Sequence, residues 1–390
     1  MKTTLILALT LVTSLHIAAQ RYHTVIFPSA SVERDILYGA APDYQGTMTD
    51  LMLDIYQPDN DNAQVRALVV LVHGGGFTGG GKAGENFQEW GMDLARRGFV
   101  VASIEYRLGV TSKTDPKLMW EASLRCGQDT RAAVRFLRSK MHDYRIDTSH
   151  IFLIGTSAGG FGILQASILQ DNEIPANIDP SLGGVEGNSG TPNESSRVHG
   201  LVVCWGATTD TTFIDAGDPP LFAVHGTNDK TVPYQCGASK FGFDLCGGLP
   251  LTTRAANMGI ASELLLFPGA GHTLDGDPVL IDSCYRFAVR NLATLTDAPT
   301  TVNYDVLFES GGIAVYPNPV QRNGVLTIRG ISAEPTSIVL VDMLGHQMPC
   351  AIVSRADAEV SVSLPTVETS SYYLVVSSAN GVQATPLRCY

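Results

Sequence analysis

The hydrophobic pattern divides the chain in two. Continuous apolar runs at residues 67–72 (ALVVLV), 99–104 and 151–154 read as strands covered on both faces, and 201–204, 221–224 and 263–267 are three further strand candidates. Residues 85–97, 117–140, 160–170 and 278–292 read as helices. Phe87, Trp90, Gly91 and Leu94 fall on one face of the first, and Val134 and Leu137 on one side of the second. Ahead of these, residues 31–38 and 50–56 alternate apolar and polar side chains, the pattern of antiparallel strands leading into a sheet. Strands alternating with helices define an α/β protein with a doubly wound, mostly parallel sheet, which binds ligands at the carboxyl ends of its strands. Residues 171–197, rich in Gly, Asn, Pro and Ser, form a long irregular segment, read as a lid or a substrate-facing insertion.

The pattern changes near residue 295. Residues 296–312 read as a linker, and from 313 to 390 only short strands recur, at 325–329, 337–341, 359–364 and 372–376. Turn residues separate them, which predicts a small all-β sandwich. At the other end, Lys2, an apolar stretch over 5–17 and the small residues Ala18 and Ala19 predict a signal peptide over 1–19. The catalytic domain is then 20–295.

Composition adds two constraints. A net charge of −12 argues against nucleic acid and anionic membrane surfaces as partners. No integral membrane segment is expected after signal removal. Export permits disulfides, and of the seven cysteines (126, 204, 236, 246, 284, 350 and 389) Cys236 and Cys246 flank one short loop and are the first candidates for a pair. Cys350 and Cys389 are a weaker one. No His/Cys grouping has zinc spacing, so no structural metal is expected; the candidate chemistry is expected to run without metal or organic cofactor.

The candidate chemistry begins at Gly155-Thr156-Ser157-Ala158-Gly159, a G-x-S-x-G in which a strand turns abruptly into a helix and exposes a serine hydroxyl. A serine hydroxyl needs an adjacent base, itself oriented by a third group. Downstream, Asp229 in HGTND and His272 in GAGHT each follow a predicted strand, in the order nucleophile, acid, base. A tetrahedral intermediate further needs donors for its oxyanion. The backbone N–H groups of Gly75 and Gly76, in HGGGF, and of Ala158 are assigned to that task. Asp210, Asp215 and Asp218 compete with Asp229 for the acid, and His225 with His272 for the base, although His225 breaks the expected order. His73 reads as a brace for the glycine loop. Tyr106, Trp120 and Phe161 read as core in preference to site.

These residues resemble the α/β-hydrolase superfamily, in particular its H-G-G-G carboxylesterase and lipase branch, which includes feruloyl and acetyl-xylan esterases. The resemblance rests on LMLDIYQP, VVLVHGGGF, FVVASIEYR, IFLIGTSAGG, HGTNDKTVPY and GAGHT. It implies a secreted serine ester hydrolase working through an acyl-enzyme, acting on acyl or feruloyl esters of polysaccharides. Two alternatives are a serine peptidase of the prolyl-oligopeptidase type and a non-catalytic, hydrolase-like adhesion protein. The C-terminal module is similar to the sorting domain of proteins exported by the type IX secretion system of Bacteroidetes, through Val315-Tyr316-Pro317-Asn318-Pro319, LTIRG and SYYLVV. That resemblance implies the secretion machinery as a partner and a secreted or cell-surface location.

Overall fold

In the computed structural model the described residues are 20–84, 86–297, 314–316, 324–329, 335–341, 347–356, 359–365, 370–378 and 381–389. The predicted signal peptide, residues 298–312 of the predicted linker, Glu85 and parts of the sorting motif lie outside them. The chain divides into two compact units at Asp297/Ala298.

The first unit is built on an eight-stranded sheet of order β1-β2-β4-β3-β5-β6-β7-β10. Its strands are β1 (Ala30–Pro42), β2 (Met48–Pro58), β3 (Arg66–Val72), β4 (Val100–Ile104), β5 (Ile146–Thr156), β6 (Gly200–Cys204), β7 (Leu221–Gly226) and β10 (Ser262–Phe267). A separate two-stranded ribbon pairs β8 (Cys236–Ala238) with β9 (Asp244–Cys246). β1 and β2 join antiparallel, and every pairing from β4 onward is parallel. The apolar runs read from the sequence are these parallel strands: β3, β4, β6 and β7 are buried at every position. Helices on both faces supply the cover.

Those helices are α1 (Phe87–Arg96), α2 (Pro116–Ser139), α3 (Ala158–Ser167), α4 (Gly248–Asn257) and α5 (Pro278–Asp297). The start of α2 has a local cause. Asp115 caps α2 by accepting the N–H groups of Lys117 and Leu118 at 2.9 and 3.3 Å, with Pro116 at the first helical position. α5 runs to Asp297, beyond the predicted end at 292 and into the predicted linker. α4 was not predicted: its sequence, GLPLTTRAAN, has a glycine, a proline and two threonines, all weak helix formers. Tertiary packing overrides that preference, with Leu251 and Ala255 buried in the core. Thr252 and Thr253 return their hydroxyls to the carbonyls of Gly248 and Leu249. Among the described residues no helix is long and apolar enough to cross a membrane.

The second unit contains two four-stranded antiparallel sheets. One has β11 (Ala314–Tyr316), β12 (Val325–Arg329), β16 (Glu359–Ser363) and β15 (Ala351–Ala356). The other has β14 (Gln347–Pro349), β13 (Pro335–Val341), β17 (Ser370–Ser378) and β18 (Gly381–Cys389). Inward residues of both, including Leu326, Ile328, Ile338, Leu340, Val362 and Leu374, form one core. The alternating burial along β16 follows from the period-2 geometry of a half-covered strand. The side chain of Cys389 lies outside the described residues, so the Cys350–Cys389 pairing does too.

Candidate active site

The strand-to-helix turn after β5 is tight enough to dictate its own sequence. A Cβ on Gly159 would stand 2.0 Å from the carbonyl oxygen of Val72, and one on Gly155 would stand 2.4 Å from that of Gly159. Both obstacles are backbone and cannot swing aside. Between them Ser157 adopts φ 47°, ψ −115°, a conformation that costs about 1–3 kcal/mol outside a constraining fold. Its N–H is held by the carbonyl of Cys204 on β6 at 2.9 Å. Gly159→Ala is therefore expected to destabilise the domain by about 4 kcal/mol or more, read as a lowered urea midpoint. A change under about 1 kcal/mol would mean that the turn relaxes freely.

Adjacent parallel strands bring Asp229 and His272 to the same edge. β7 ends at Gly226 and β10 at Phe267, paired in register. The loops that follow are tied together: Thr227 N–H donates to the carbonyl of Phe267 at 3.0 Å, Asn228 N–H to that of Ala270 at 2.9 Å, and Gly269 N–H to Thr227 Oγ1 at 2.8 Å. Beyond His272 the backbone stays left-handed at Thr273, Leu274 and Asp275, three consecutive non-glycine residues. Buried Leu274 and the bond from Gly271 N–H to Asp275 Oδ2 at 2.8 Å anchor that strained turn.

The result is an unbroken hydrogen-bond relay. Ser157 Oγ lies 2.9 Å from His272 Nε2, and His272 Nδ1 lies 2.7 Å from Asp229 Oδ2. Asp229 Oδ1 accepts the N–H groups of Thr231 and Val232 at 2.8 and 2.9 Å. Burial raises the Asp229 pKa, but hydrogen bonds from His225 and His272 and the charge of His272 outweigh it and hold the carboxyl well below the usual carboxylate range. Such an arrangement can take a proton from the serine and stabilise the imidazolium that forms. The rival carboxylates are occupied elsewhere. Asp210 accepts from Thr212, Asp215 faces Arg254 at 3.8 Å and Asp218 accepts the N–H of Asp215.

Sequence reasoning took His225 only as a competitor, and the structure gives it a different place. It is fully buried, with Nε2 3.0 Å from the carbonyl of Val232 and 3.3 Å from Asp229 Oδ2. Its Nδ1 accepts Gly248 N–H at 3.2 Å, so the ring proton sits on Nε2 and is directed at the acid loop. The signal was its position, four residues before the acid at the end of the same strand.

Of the assigned oxyanion donors, Gly76 and Ala158 line one pocket with Ser157, and Gly75 does not. Ala158 opens α3, where the first N–H groups have no acceptor within the helix and the dipole favours negative charge. Gly75 and Gly76 both have positive φ, 111° and 62°. A Cβ on Gly75 would lie 2.0 Å from the carbonyl of Gly79. The loop is braced from behind. His73 is buried, stacks on Tyr106 with centroids 4.3 Å apart, and Tyr106 donates its hydroxyl to the His73 carbonyl at 3.0 Å. Arg107 next to it forms a buried ion pair with Asp129 on α2 at 2.8 Å.

The pocket runs from Ser157 between α2 and α3. One wall is Met119 and Trp120 from α2 with Phe161 and Leu164 from α3 and Ile168 just past its end. Trp120 and Phe161, expected in the core, thus face the site, whereas Tyr106 stays behind it. The opposite wall is Phe241, Phe243 and Leu245, carried on the β8–β9 ribbon. Cys236 and Cys246 close that ribbon as a disulfide, the pair favoured from the sequence. Backbone bonds between Cys246 and Thr208, at 2.8 and 3.0 Å, dock it beside the pocket.

The segment 171–197 does not serve as the expected lid: none of its residues lines this pocket. Ile174, Ile178, Leu182 and Val185 pack behind Trp120 and Leu169. Gln128 and Arg135 of α2 hydrogen-bond its carbonyls, at Leu182 and Gly184 and at Ser189 and Thr191. It is a buttress for α2, recruited by an amphipathic helix whose outer face is polar but buried.

A mostly parallel sheet with this strand order, with Ser157 on the turn after β5 and Asp229 and His272 in the loops after β7 and β10, is the α/β-hydrolase fold. The BD-FAE family matches residues 53–208. The thermophilic esterase Est2 of Thermogutta terrifontis shares the fold at a TM-score of 0.51 and 21% identity, covering 70% of this chain and 96% of its own. Among curated proteins the chain is similar to the probable carboxylic ester hydrolase LipM of Mycobacterium tuberculosis, 24% identical over 47% of this chain and 46% of that one. It is also similar to the fumonisin B1 esterase of Sphingopyxis macrogoltabida, 30% identical over 35% of this chain and 27% of that one. The chain thus spans less than half the length of either curated relative.

Proposed function

We propose that this protein is a serine carboxylic-ester hydrolase, with Ser157 as nucleophile, His272 as general base and then acid, and Asp229 as the group that orients and charges the imidazole. The observation that carries the reading is the relay Ser157–His272–Asp229 at 2.9 and 2.7 Å. Ser157 Oγ attacks the ester carbonyl as His272 Nε2 takes its proton. The oxyanion that develops is met by the N–H groups of Ala158 and Gly76, with Gly75 assigned to the same loop. Collapse expels the alcohol, protonated by His272, and leaves an acyl-enzyme. Water activated by His272 then releases the acid. The similarity to LipM and to fumonisin B1 esterase supports ester bonds as the target, and acyl or feruloyl esters of polysaccharides are the proposed natural substrates. In this reading the N-terminal segment directs export, and the C-terminal unit is an address for type IX secretion that brings the enzyme to the cell surface.

The test is a substrate panel combined with covalent labelling. Purified protein is expected to hydrolyse p-nitrophenyl acyl esters and esterified xylan, to leave aminoacyl-p-nitroanilides intact, and to take up one equivalent of an organophosphate on Ser157. Anilide cleavage in preference to esters, or an adduct on another residue, would overturn the assignment.

A further inference from the structure

The pocket beside Ser157 is apolar along most of its length but keeps two buried polar atoms unused. Gln165 on α3 and Trp120 on α2 both line it. Ser123, also on its wall, donates its one hydroxyl proton to the carbonyl of Trp120 at 2.8 Å, so it can only accept from Gln165 Nε2, which stands 3.2 Å away. That fixes which way the amide points and leaves Gln165 Oε1 as the remaining acceptor. Oε1 and Trp120 Nε1 are both buried without a partner among the described residues. A buried acceptor and a buried donor left unpaired destabilise the free protein, and on the wall of a pocket a ligand that pairs with them recovers that cost.

We infer that Gln165 and Trp120 form a specificity site for the acyl portion of the substrate, reading a hydroxyl group at the far end of an otherwise apolar acyl chain or ring. This rests on the ester-hydrolase reading of Ser157. A hydroxyl matches the pair because it donates and accepts at once: its proton goes to Gln165 Oε1 and its oxygen takes the indole N–H. Position supports the assignment. Phe161, Leu164 and Gln165 recur at helical spacing on one face of α3, with Ile168 at its C-cap continuing the row, so the pocket follows that helix away from the nucleophile. Eight residues separate Ser157 from Gln165, a rise of about 12 Å at 1.5 Å per residue. The apolar body of the acyl group would lie along Phe161 and Leu164, with Phe243 opposite.

The experiment compares p-nitrophenyl esters of one acyl series, each length made plain and with a terminal hydroxyl, together with an aryl pair differing only in a para-hydroxyl. At one chain length or in the aryl pair, kcat/KM is expected to favour the hydroxylated ester at least about tenfold. Trp120→Phe, which keeps an aromatic ring and removes the indole N–H, and Gln165→Met, which keeps the length and removes the amide, are each expected to bring that ratio close to one. Calorimetric binding of the free acids gives the same comparison without turnover. A preference in binding without any ester hydrolysis would overturn the hydrolase reading and leave the hydroxyl site standing. Equal kcat/KM and equal binding within every pair, or a preference that survives both substitutions, would overturn the site itself.

Discussion

Replacing His272 by alanine is expected to lower kcat for ester hydrolysis by about four to six orders of magnitude while leaving KM within a few-fold of its starting value. The size follows from how the base is isolated. His272 Nε2 is in contact with Ser157 Oγ at 2.9 Å, and the imidazole of His225, at the end of β7, cannot replace it. Both nitrogens of His225 are engaged, one by Gly248 N–H and the other by the Val232 carbonyl and Asp229. Its tautomer is therefore locked and its accepting lone pair is taken by Gly248 N–H. Substrate binding draws on the pocket walls, which the substitution does not touch. The variant is also expected to react with an organophosphate more slowly by a comparable factor, since that reaction needs the same activated oxygen. Retention of more than about a hundredth of the parental kcat would remove His272 from its role, because general-base catalysis alone is worth about 10²–10⁴.

The parts of this protein that were legible in the sequence are those where one physical requirement acts on consecutive residues. A strand buried on both faces must be apolar throughout, so 67–72 and 151–154 announced themselves as β3 and β5. The turn at Ser157 needs glycine at 155 and 159 because backbone carbonyls occupy the space of a Cβ, and that requirement is a motif. Asp229 and His272 could be paired from the sequence because each follows a strand, and the parallel register of β7 and β10 sets them side by side. What stayed hidden depends on contacts between distant segments. The aromatic wall of Phe241 and Phe243 looks like loop until the Cys236–Cys246 link and Thr208 dock it. Residues 171–197 have the composition of a lid, and only the buried polar face of α2 reveals that they brace a helix. Gln165 and Trp120 lie on helices predicted correctly, and their significance arises only because Ser123 takes the amide N–H of Gln165 and leaves its Oε1, like the indole N–H, without a partner among the described residues.

Asp229→Asn is expected to reduce kcat about 10⁴-fold through the position of a single proton. Asp229 Oδ1 accepts two backbone N–H groups, so an asparagine must place its carbonyl oxygen there. Its NH₂ then occupies the Oδ2 position, facing His272 Nδ1 and the Nε2–H of His225. His225 cannot give way, because its Nδ1 is held by Gly248 N–H and its proton stays on Nε2. His272 can meet the new NH₂ only with a bare Nδ1, which moves its own proton to Nε2, directly against Ser157 Oγ. The imidazole then lacks the lone pair that should receive the serine proton. Stability should change with a definite sign. The folded Asp229 pKa lies below its unfolded value, so its contribution is fully present above about pH 4, the unfolded carboxylate range, and is lost as pH falls through the folded value. In urea unfolding the parent should exceed the asparagine variant by a margin that is constant near neutrality and shrinks in acid below about pH 4. A variant that keeps its kcat, or a margin that widens on acidification, would show that the Asp229 carboxylate does not act on His272.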